Sequence, residues 1–221
     1  MQRLFVISLT ELNYEKKDLN VPFSEKRQTI GYLARIITNA IFLSHSLREK
    51  VTIRVYIEKP ISHIIQIDSA TIKYLGPELR SLASLILKAK KKFQEALTNN
   101  YFTNNTWLEA NPGFFVRLAT NPFQDLSIQV DSPNPLVYLI SDINNKTSDA
   151  ESYTLKGFEK LILNLSEKRS TFIIYLPLVT EQISKIPIDS QDFIIRKIAM
   201  SEKIDYARLT NIVNIILDKS S

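Results

Sequence analysis

Hydrophobic and polar residues alternate along the chain in two different periods. From about residue 30 to residue 41, apolar side chains recur at helical spacing, and a polar turn follows at residues 44–46. This spacing predicts a core helix that stops at the turn, where Arg48 and Lys50 make a wet, basic end. From residue 51 to residue 58 the period changes to two, which predicts a half-buried strand directly after that helix.

The same two periods predict the other elements. Further strands are predicted at residues 4–9, 61–68, 70–75, 114–118, 126–130, 136–140, 171–176 and 192–200. Further helices are predicted at residues 78–97, 153–168 and 203–218, and Pro77 opens the first of them. The polar stretch at residues 10–26 is predicted to be a loop. Strands that alternate with helices over the whole chain favour an α/β fold with a largely parallel sheet.

The apolar run at residues 136–140 is continuous rather than alternating. Such a run is typical of a strand that is buried on both faces of a parallel sheet. It stops at the polar stretch 141–145, and ligand crevices form at the carboxyl ends of strands of this kind. Asp142 is therefore either a capping aspartate at a strand end or a residue of a ligand site, and both alternatives stay open.

Composition narrows the class of protein. With 221 residues, of which 44% are hydrophobic and 23% charged, the chain is long enough for a single globular domain. It contains no apolar run near the roughly 18 residues that cross a bilayer, and no signal peptide is visible. We therefore expect a soluble, cytoplasmic protein that has no membrane partner.

Several kinds of chemistry lack the residues they need. The chain has no cysteine and only two histidines, His45 and His63, so we expect no metal site. Its four glycines are too dispersed for a GxGxxG dinucleotide loop or a phosphate-binding P-loop. Kinase, NTPase and Rossmann-type methyltransferase functions therefore lose their usual sequence support.

The net charge points to a polyanionic partner. The formal charge is +5 and the pI is near 9.2, which makes nucleic acid the leading partner class. Lys91 lies in a basic stretch that is either a solvated helix face or a contact to an RNA backbone. Trp107 either stacks on a base or anchors a loop by packing. Arg35, inside an apolar helix, either reaches solvent or pairs with a carboxylate.

Five sequence blocks carry a family resemblance. The order of Arg35, the stretch 42–45 and Arg48 is similar to the first helix of the archaeal tRNA pseudouridine-54 N1-methyltransferases, a family of the knotted SPOUT class that uses S-adenosylmethionine. The other blocks follow in the same order as in that family, and they are residues 76–83, 112–117, 135–142 and 212–219. Residues 76–83 include Arg80, and residues 112–117 are a proline-glycine strand that bears Arg117.

The chain departs from the family at specific positions. The family's Gly-Asp-His-Ile-Gly is Ser-Asp-Ile-Asn-Asn here, at residues 141–145. Its Arg-Leu-Asp triplet is replaced by residues 29–31, its Ser-Leu-Ser/Gly-Pro loop by residues 198–201, and its His-Cys pair by Arg208 and Leu209. The segment between residues 145 and 197 is longer than in the family.

The resemblance implies a fold and a set of site residues. We expect one SPOUT-like, trefoil-knotted α/β domain over residues 1–221, with its cofactor and knot region at about 135–218 and two chains pairing as a homodimer. The implied S-adenosylmethionine contacts are Ile128, Ser141, Ile198, Ala199, Met200, Ser201 and Leu209. The implied RNA contacts are Arg48, Arg80, Arg117 and Lys91, and the implied catalytic residues are Asp142 and Arg35.

The reaction implied by the resemblance is methylation of N1 of pseudouridine in the tRNA T-loop. It needs in-line positioning and loss of the N1 proton, so Asp142 would orient the base or accept that proton. The departures motivate one alternative, a catalytically silent relative that binds RNA or a protein partner. A second alternative is a related methyltransferase that acts on pseudouridine in ribosomal RNA.

Overall fold

The structure is a computed structural model, and it describes most of the chain. The described residues are 2–21, 25–102, 106–122, 136–140, 151–166, 171–178, 194–200 and 204–219, with the backbone alone described at 25–27, 136–140 and 194–197. Within them, nine strands form one sheet in the order β4-β5-β3-β2-β1-β8-β6-β9-β7. The strands are β1 Gln2–Glu11, β2 Val51–Lys59, β3 His63–Asp68, β4 Leu108–Asn111, β5 Phe114–Leu118, β6 Leu136–Ile140, β7 Glu151–Tyr153, β8 Thr171–Pro177 and β9 Ile194–Met200.

The helices of the described part lie between these strands in sequence. They are α1 Glu25–Ile41, α2 Leu79–Thr98, α3 Leu155–Ser166 and α4 Tyr206–Lys219, and a short 3-10 helix covers Lys16–Asn20. α1 packs against both α2 and α4, and α4 also packs against α3. None of the described helices has both the length and the apolarity that a membrane crossing requires.

The strands at the centre of the sheet are parallel, and the side chains of β1 and β8 are mostly buried. β1 lies between β2 and β8 and runs parallel to both, while β6 runs parallel to β8 and β9. Phe5, Val6 and Ile7 are consecutive in β1 and each is 0% exposed, so both faces of the strand are covered. β8 is buried along its whole length. The continuous apolar runs therefore form interior parallel strands, as predicted.

The predicted apolar face of α1 is buried. Ile30, Leu33 and Ile37 are each 0% exposed and belong to the same core cluster as Phe5 and Ile7 of β1. Complete burial of each aliphatic side chain contributes about 2 kcal/mol to folding. Because the residues at helical spacing are all buried in this core, the opposite face of α1 remains to line a surface feature.

Most predicted elements are confirmed with small shifts at their ends, and the prediction of a strand at residues 70–75 is wrong. Residues 70–75 form a turn and a loop, because the Asp68 carbonyl accepts hydrogen bonds from the N–H groups of Thr71 (3.3 Å) and Ile72 (3.1 Å). The Asp68 carboxylate also accepts one from the N–H of Ala70 at 3.0 Å. The chain therefore leaves the sheet at Asp68 despite its apolar residues.

Other differences concern short elements. The short strands β4 and β7 were not predicted, and the predicted loop at residues 10–26 contains the end of β1 and the 3-10 helix. Pro77 precedes the capping residue Glu78 rather than lying in the first turn of α2. The strand predicted at residues 126–130 lies outside the described residues.

Candidate functional site

Arg48 closes the C-terminal end of α1 from inside the fold. Its Nη1 donates hydrogen bonds to the carbonyls of Asn39 (3.2 Å), Ala40 (3.3 Å) and Phe42 (2.8 Å). Asn39 and Ala40 supply two of the last carbonyls of the helix, which lack partners within it, and Phe42 directly follows the helix. The Nε and Nη2 atoms donate to Asp218 at 3.0 and 2.9 Å, and the Arg48 side chain is only 9% exposed. The prediction that Arg48 is part of a wet helix end is therefore wrong.

Arg3 and Asn214 complete this network. Arg3 Nη1 lies 2.9 Å from Asn214 Oδ1 and 2.6 Å from Asp218 Oδ1. The Asn214 amide donates to the carbonyls of Asn39 (3.0 Å) and Ala40 (3.1 Å). We call Arg3, Arg48, Asn214 and Asp218 the arginine clamp. It ties the end of α4 to the start of β1 and to the end of α1.

The clamp shifts the ionisation of its members. Burial alone would raise the pKa of Asp218, but the hydrogen bonds and charges of Arg48 and Arg3 outweigh it and leave the pKa below its ordinary value. Burial lowers the pKa of Arg3, although the hydrogen bond to Asp218 opposes this effect. The carboxylate of Asp218 is therefore the charge that makes burial of these arginines tolerable.

A groove of about 580 Å³ lies between α1, the start of α2 and the start of α4. Its lining residues are Gly31, Ala34, Arg35, Thr38, Asn39, Pro77, Leu79, Asp205, Ala207, Arg208 and Asn211. The lining mixes small, apolar and charged side chains, and its α1 residues other than the buried Ala34 lie outside the core cluster. The groove is the candidate functional site of the described part of the chain.

Hydrogen bonds between α1 and α4 set the shape of this groove. Asp205 caps α4 by accepting a hydrogen bond from the N–H of Arg208 at 2.7 Å. The Tyr206 N–H donates to the Tyr32 hydroxyl at 2.9 Å, and the Asn39 amide donates to the Ala207 carbonyl at 2.8 Å. The first turn of α4 is therefore held against α1 by side chains.

Arg35 stands in this groove largely exposed. Its side chain is 63% exposed, its guanidinium lies 5.2 Å from the Tyr32 ring centre, and its Nη1 is 3.9 Å from Asp205 Oδ2. An ion pair that is this long and exposed contributes at most about 1 kcal/mol. Arg208 is also exposed. The groove thus presents two guanidinium groups beside one carboxylate, and it can bind an anion by exchanging the weak internal pair for an external one.

The predicted cofactor residues within the described part lie around β9 and α4. Ile198 (0% exposed), Met200 (4%) and Leu209 (1%) belong to the hydrophobic core, and Ala199 is buried beside them in β9. Any contact these residues make with a cofactor would therefore use their backbone or the edge of a buried side chain. Ile128, Ser141, Asp142 and Ser201 lie outside the described residues.

The strand ends next to those residues are adjacent. β6 and β9 are parallel neighbours, and Ile140 at the end of β6 pairs with Ile198 of β9. In sequence, residue 141 follows β6 and residue 201 follows β9. The carboxyl ends of both strands thus lie side by side at the same end of the sheet, where ligand crevices form in α/β folds.

The remaining predicted RNA contacts differ in exposure. Arg80 is exposed and donates to Asn20 Oδ1 at 3.1 Å, and Lys91 is 78% exposed with Glu95 at 3.7 Å. Arg117 is only 2% exposed, and its guanidinium lies 4.6 Å from the centre of the Trp107 ring. The guanidinium groups of Arg48 and Arg117 are buried, so neither is accessible to an external phosphate in this structure. Their contacts with RNA stay predictions.

Trp107 fits the packing alternative. Its ring is half-buried against the small cluster of Tyr56, Ile64 and Ala119, and it also lies 5.5 Å from the guanidinium of Arg54. An indole that covers two buried arginines is a structural cation–π arrangement. Among the described side chains, no group of three or more His, Cys, Asp or Glu could hold a metal ion.

Sequence reasoning missed Asp205 and Arg208 as groove residues. Asp205 directly precedes the first turn of α4, which is a recognisable helix-start signal. That signal identifies a cap, but it contains nothing about the distant α1 residues that complete the groove.

The chain matches a family model described as "Putative SAM-dependent RNA methyltransferase" over residues 20–154, more than half of its length. It is 35% identical over 146 residues to the tRNA (pseudouridine(54)-N(1))-methyltransferase of Methanococcoides burtonii, and the match covers 63% of the chain and 65% of the relative. The Haloferax volcanii protein of the same name is 26% identical over 137 residues, which is 54% of the chain and 65% of the relative. The chain thus matches just under two thirds of each relative's length.

A solved structure shares the fold across almost the whole chain. The crystal structure of Archaeoglobus fulgidus Nep1 bound to S-adenosylhomocysteine aligns with a TM-score of 0.51 and covers 99% of this chain and 98% of Nep1. Only 10% of the residues are identical, so this likeness concerns the fold alone. The expected SPOUT-like α/β architecture is confirmed by this neighbour and by the mostly parallel sheet.

Proposed function

The chain belongs to the family of SAM-dependent RNA methyltransferases that the matching model describes, and from this premise we propose that it methylates N1 of pseudouridine 54 in the tRNA T-loop. The match over residues 20–154, together with the shared name of its relatives, is the observation that carries the proposal. The chain would act as a single domain, which is supported by one sheet whose strands come from residues 2 to 200. A tRNA substrate would place it in the cytoplasm.

The cofactor would bind at the carboxyl ends of β6 and β9. Backbone N–H and C=O groups at such strand ends suit the adenine ring, and the residues we assign there are Ile128, Ser141, Ile198, Ala199, Met200, Ser201 and Leu209. The apolar, buried character of Ile198, Met200 and Leu209 fits an adenosyl group better than a charged ligand. When bound, S-adenosylmethionine supplies an electrophilic methyl group.

The protein's own contribution to the reaction is positioning and proton removal. Asp142, two residues after β6, would accept the N1 proton of the base or hold the base by a hydrogen bond. Arg35 would hold a phosphate near the reacting nucleotide, because its guanidinium is exposed in the groove and only weakly paired. Orientation of this kind contributes more than a strong base when the reaction is a direct displacement.

Two chains would pair through the outer face of α1 and α4. Gly31 on α1 has open space where a side chain would stand, and Ile215 on α4 is 44% exposed. An open glycine and an exposed aliphatic residue on neighbouring helices favour contact with a second copy of the chain.

The proposal is tested by cofactor binding and by methyl transfer. Isothermal titration calorimetry with S-adenosylmethionine should show binding, and tRNA with pseudouridine at position 54 should gain one methyl group by mass spectrometry. The matched control substrate carries uridine at position 54. The N1 of uridine is bonded to ribose and cannot be methylated, so this tRNA should gain no methyl group. Binding of RNA without binding of the cofactor would favour a catalytically silent relative. Methyl transfer to ribosomal RNA and not to tRNA would identify ribosomal RNA as the substrate.

A further inference from the structure

Tyr74 stands out from the surface of the loop between β3 and α2. Its side chain is 85% exposed, the highest value among the large hydrophobic side chains described as exposed. Its backbone φ is 62°, in the left-handed region that tyrosine rarely adopts. Such a conformation costs about 1 kcal/mol or more, and it persists only where the surroundings enforce it.

The chain before Tyr74 is anchored on the β4–β5 turn. The Lys73 N–H donates to the Pro112 carbonyl at 3.4 Å, and Gly113 lies beneath Ile72. Gly113 has a φ of 80°, and a Cβ there would lie 2.5 Å from the Ile72 Cα, so this close approach requires glycine. The turn therefore supports the loop from below.

The chain after Tyr74 is anchored on α2. Ser81 Oγ accepts a hydrogen bond from the Gly76 N–H at 2.8 Å and donates to the Tyr74 carbonyl at 3.4 Å. With anchors on both sides, the phenol ring is presented by a fixed backbone rather than by a free loop. A ligand that uses this ring meets a preorganised contact, which lowers the entropy cost of binding.

The surroundings of Tyr74 are basic and lead into the groove. Lys73 and Arg80 are exposed, and Glu78 is the exposed acid of the same stretch. Pro77 and Leu79 line the groove that contains Arg35 and Arg208. An exposed aromatic ring with exposed cationic residues before and after it in the chain, next to a cationic groove, is the pattern that binds single-stranded nucleic acid. A protein partner would instead favour a contiguous apolar patch.

We propose that Tyr74 stacks on an unpaired base of the RNA substrate while Lys73 and Arg80 contact flanking phosphates. The identity of the RNA rests on the proposed function, whereas the stacking contact rests on the exposure and anchoring of Tyr74. In this proposal the stacking role moves from Trp107, which packs against two buried arginines, to an aromatic residue that faces solvent.

The test measures the affinity of a fluorescently labelled tRNA T-arm hairpin by anisotropy at fixed salt. Tyr74→Ala should weaken binding about 5- to 150-fold, because stacking on one base is worth about 1–3 kcal/mol. Tyr74→Phe should bind like the wild type, since stacking needs the ring and not the hydroxyl. Tyr101→Ala is the matched control, because Tyr101 is 62% exposed and follows the other end of α2.

Tyr74→Gly separates stacking from folding. Glycine adopts a positive φ without strain, so this variant should be at least as stable as Tyr74→Ala in thermal unfolding and should still lose RNA affinity. Unchanged binding by Tyr74→Gly, or an equal loss in Tyr74→Phe and Tyr74→Ala, would overturn the stacking contact.

Other outcomes separate this inference from the proposed function. If the wild type binds the hairpin and depends on Tyr74 but does not bind S-adenosylmethionine, the methyltransferase proposal fails and the stacking contact stands. If it methylates tRNA and all Tyr74 variants bind normally, only the stacking contact fails. If the wild type does not bind the hairpin, the stacking contact fails, and methyl transfer to whole tRNA decides the proposed function separately.

Discussion

The same two helices, α1 and α4, enclose two regions that use arginine in opposite ways. In the clamp, the side chains of Arg3 and Arg48 are 6% and 9% exposed and share the carboxylate of Asp218 at 2.6–3.0 Å. In the groove, Arg35 is 63% exposed and lies 3.9 Å from Asp205, which is itself 48% exposed. At one end of the helix pair the charged side chains are buried and paired with each other. At the other end they are exposed and only weakly paired.

The difference shows which arginines are available to a ligand. A buried guanidinium must keep its partners, because an unpaired buried charge costs several kcal/mol. An exposed pair loses almost nothing when an external phosphate replaces the carboxylate. Residue type and net charge therefore describe both regions alike, and only burial separates a structural arginine from a ligand-binding one.

The largest expected effect is on the clamp. Arg48→Ala removes the hydrogen bonds to two α1 carbonyls and to the carbonyl of Phe42 just after the helix, together with one of the two guanidinium partners of Asp218. The free energy of unfolding should therefore fall by about 2–3 kcal/mol. Urea denaturation at neutral pH measures this loss. Arg35→Ala is the matched control and should change stability by less than about 0.5 kcal/mol. Equal losses in the two variants would contradict the distinction between the regions.

The next effect is on RNA binding by the groove. The double variant Arg35→Ala, Arg208→Ala should weaken binding of the tRNA T-arm about tenfold and reduce the slope of log affinity against log salt by about 1–2, because each lost phosphate contact reduces counterion release. Anisotropy titrations at several salt concentrations measure both quantities. The double variant Lys156→Ala, Lys160→Ala removes the same charge from exposed positions of α3 and should leave the slope nearly unchanged. Equal slopes in both double variants would mean that the groove does not contact phosphate.

The strand and helix periods of the sequence predicted most of the fold. Continuous apolar runs identified β6 and β8 as parallel strands, and helical spacing identified the buried face of α1. Residues 70–75 were misread because a few apolar residues in a loop imitate a strand, while the hydrogen bonds of Asp68 that turn the chain are not visible as a pattern.

The candidate site was predictable only in part. Arg35 was identified from its place in a family-like helix, but its groove also needs Pro77 and Asp205, which are distant in sequence. Arg48 was assigned to RNA from the family-like order of residues at the end of the same helix. Its partner Asp218 lies 170 residues away, and no spacing rule connects the two. Whether an arginine is buried depends on such long-range partners, and composition or local pattern does not contain them.

A smaller effect concerns the pH dependence of the clamp. The pKa of Asp218 is lower in the folded chain than its ordinary value of 3.8, so its stabilising contribution is present above about pH 4 and is lost as the pH falls through the folded pKa. Asp218→Asn keeps an amide oxygen that can accept the arginine hydrogen bonds and removes only the charge, which solvent screens because a third of the side chain is exposed. It should therefore cost about 1 kcal/mol at pH 7. The difference from the wild type should shrink below pH 4 in urea titrations. A difference that is constant down to pH 2.5 would mean that charge is not what Asp218 contributes.

The smallest effect is at Gly31, on the open side of the groove. A Cβ added there meets no atom of the described chain within 4 Å, so Gly31→Ala should stabilise α1 by about 0.5–1 kcal/mol. Gly157→Ala is the control, because its Cβ would lie 3.3 Å from Thr154 Oγ1 and should give a smaller gain. Urea denaturation at low protein concentration measures the change in the single chain.

Gly31→Ala also probes what covers the groove. If a second copy of the chain packs closely on α1, the added methyl group should weaken dimerisation in sedimentation experiments while the isolated chain becomes more stable. If RNA alone occupies the groove, self-association should be unchanged and only affinity for the tRNA T-arm should respond. A loss of stability in the isolated chain would contradict the open space beside Gly31. The open groove would then no longer contrast with the tightly packed clamp at the other end of the same helices.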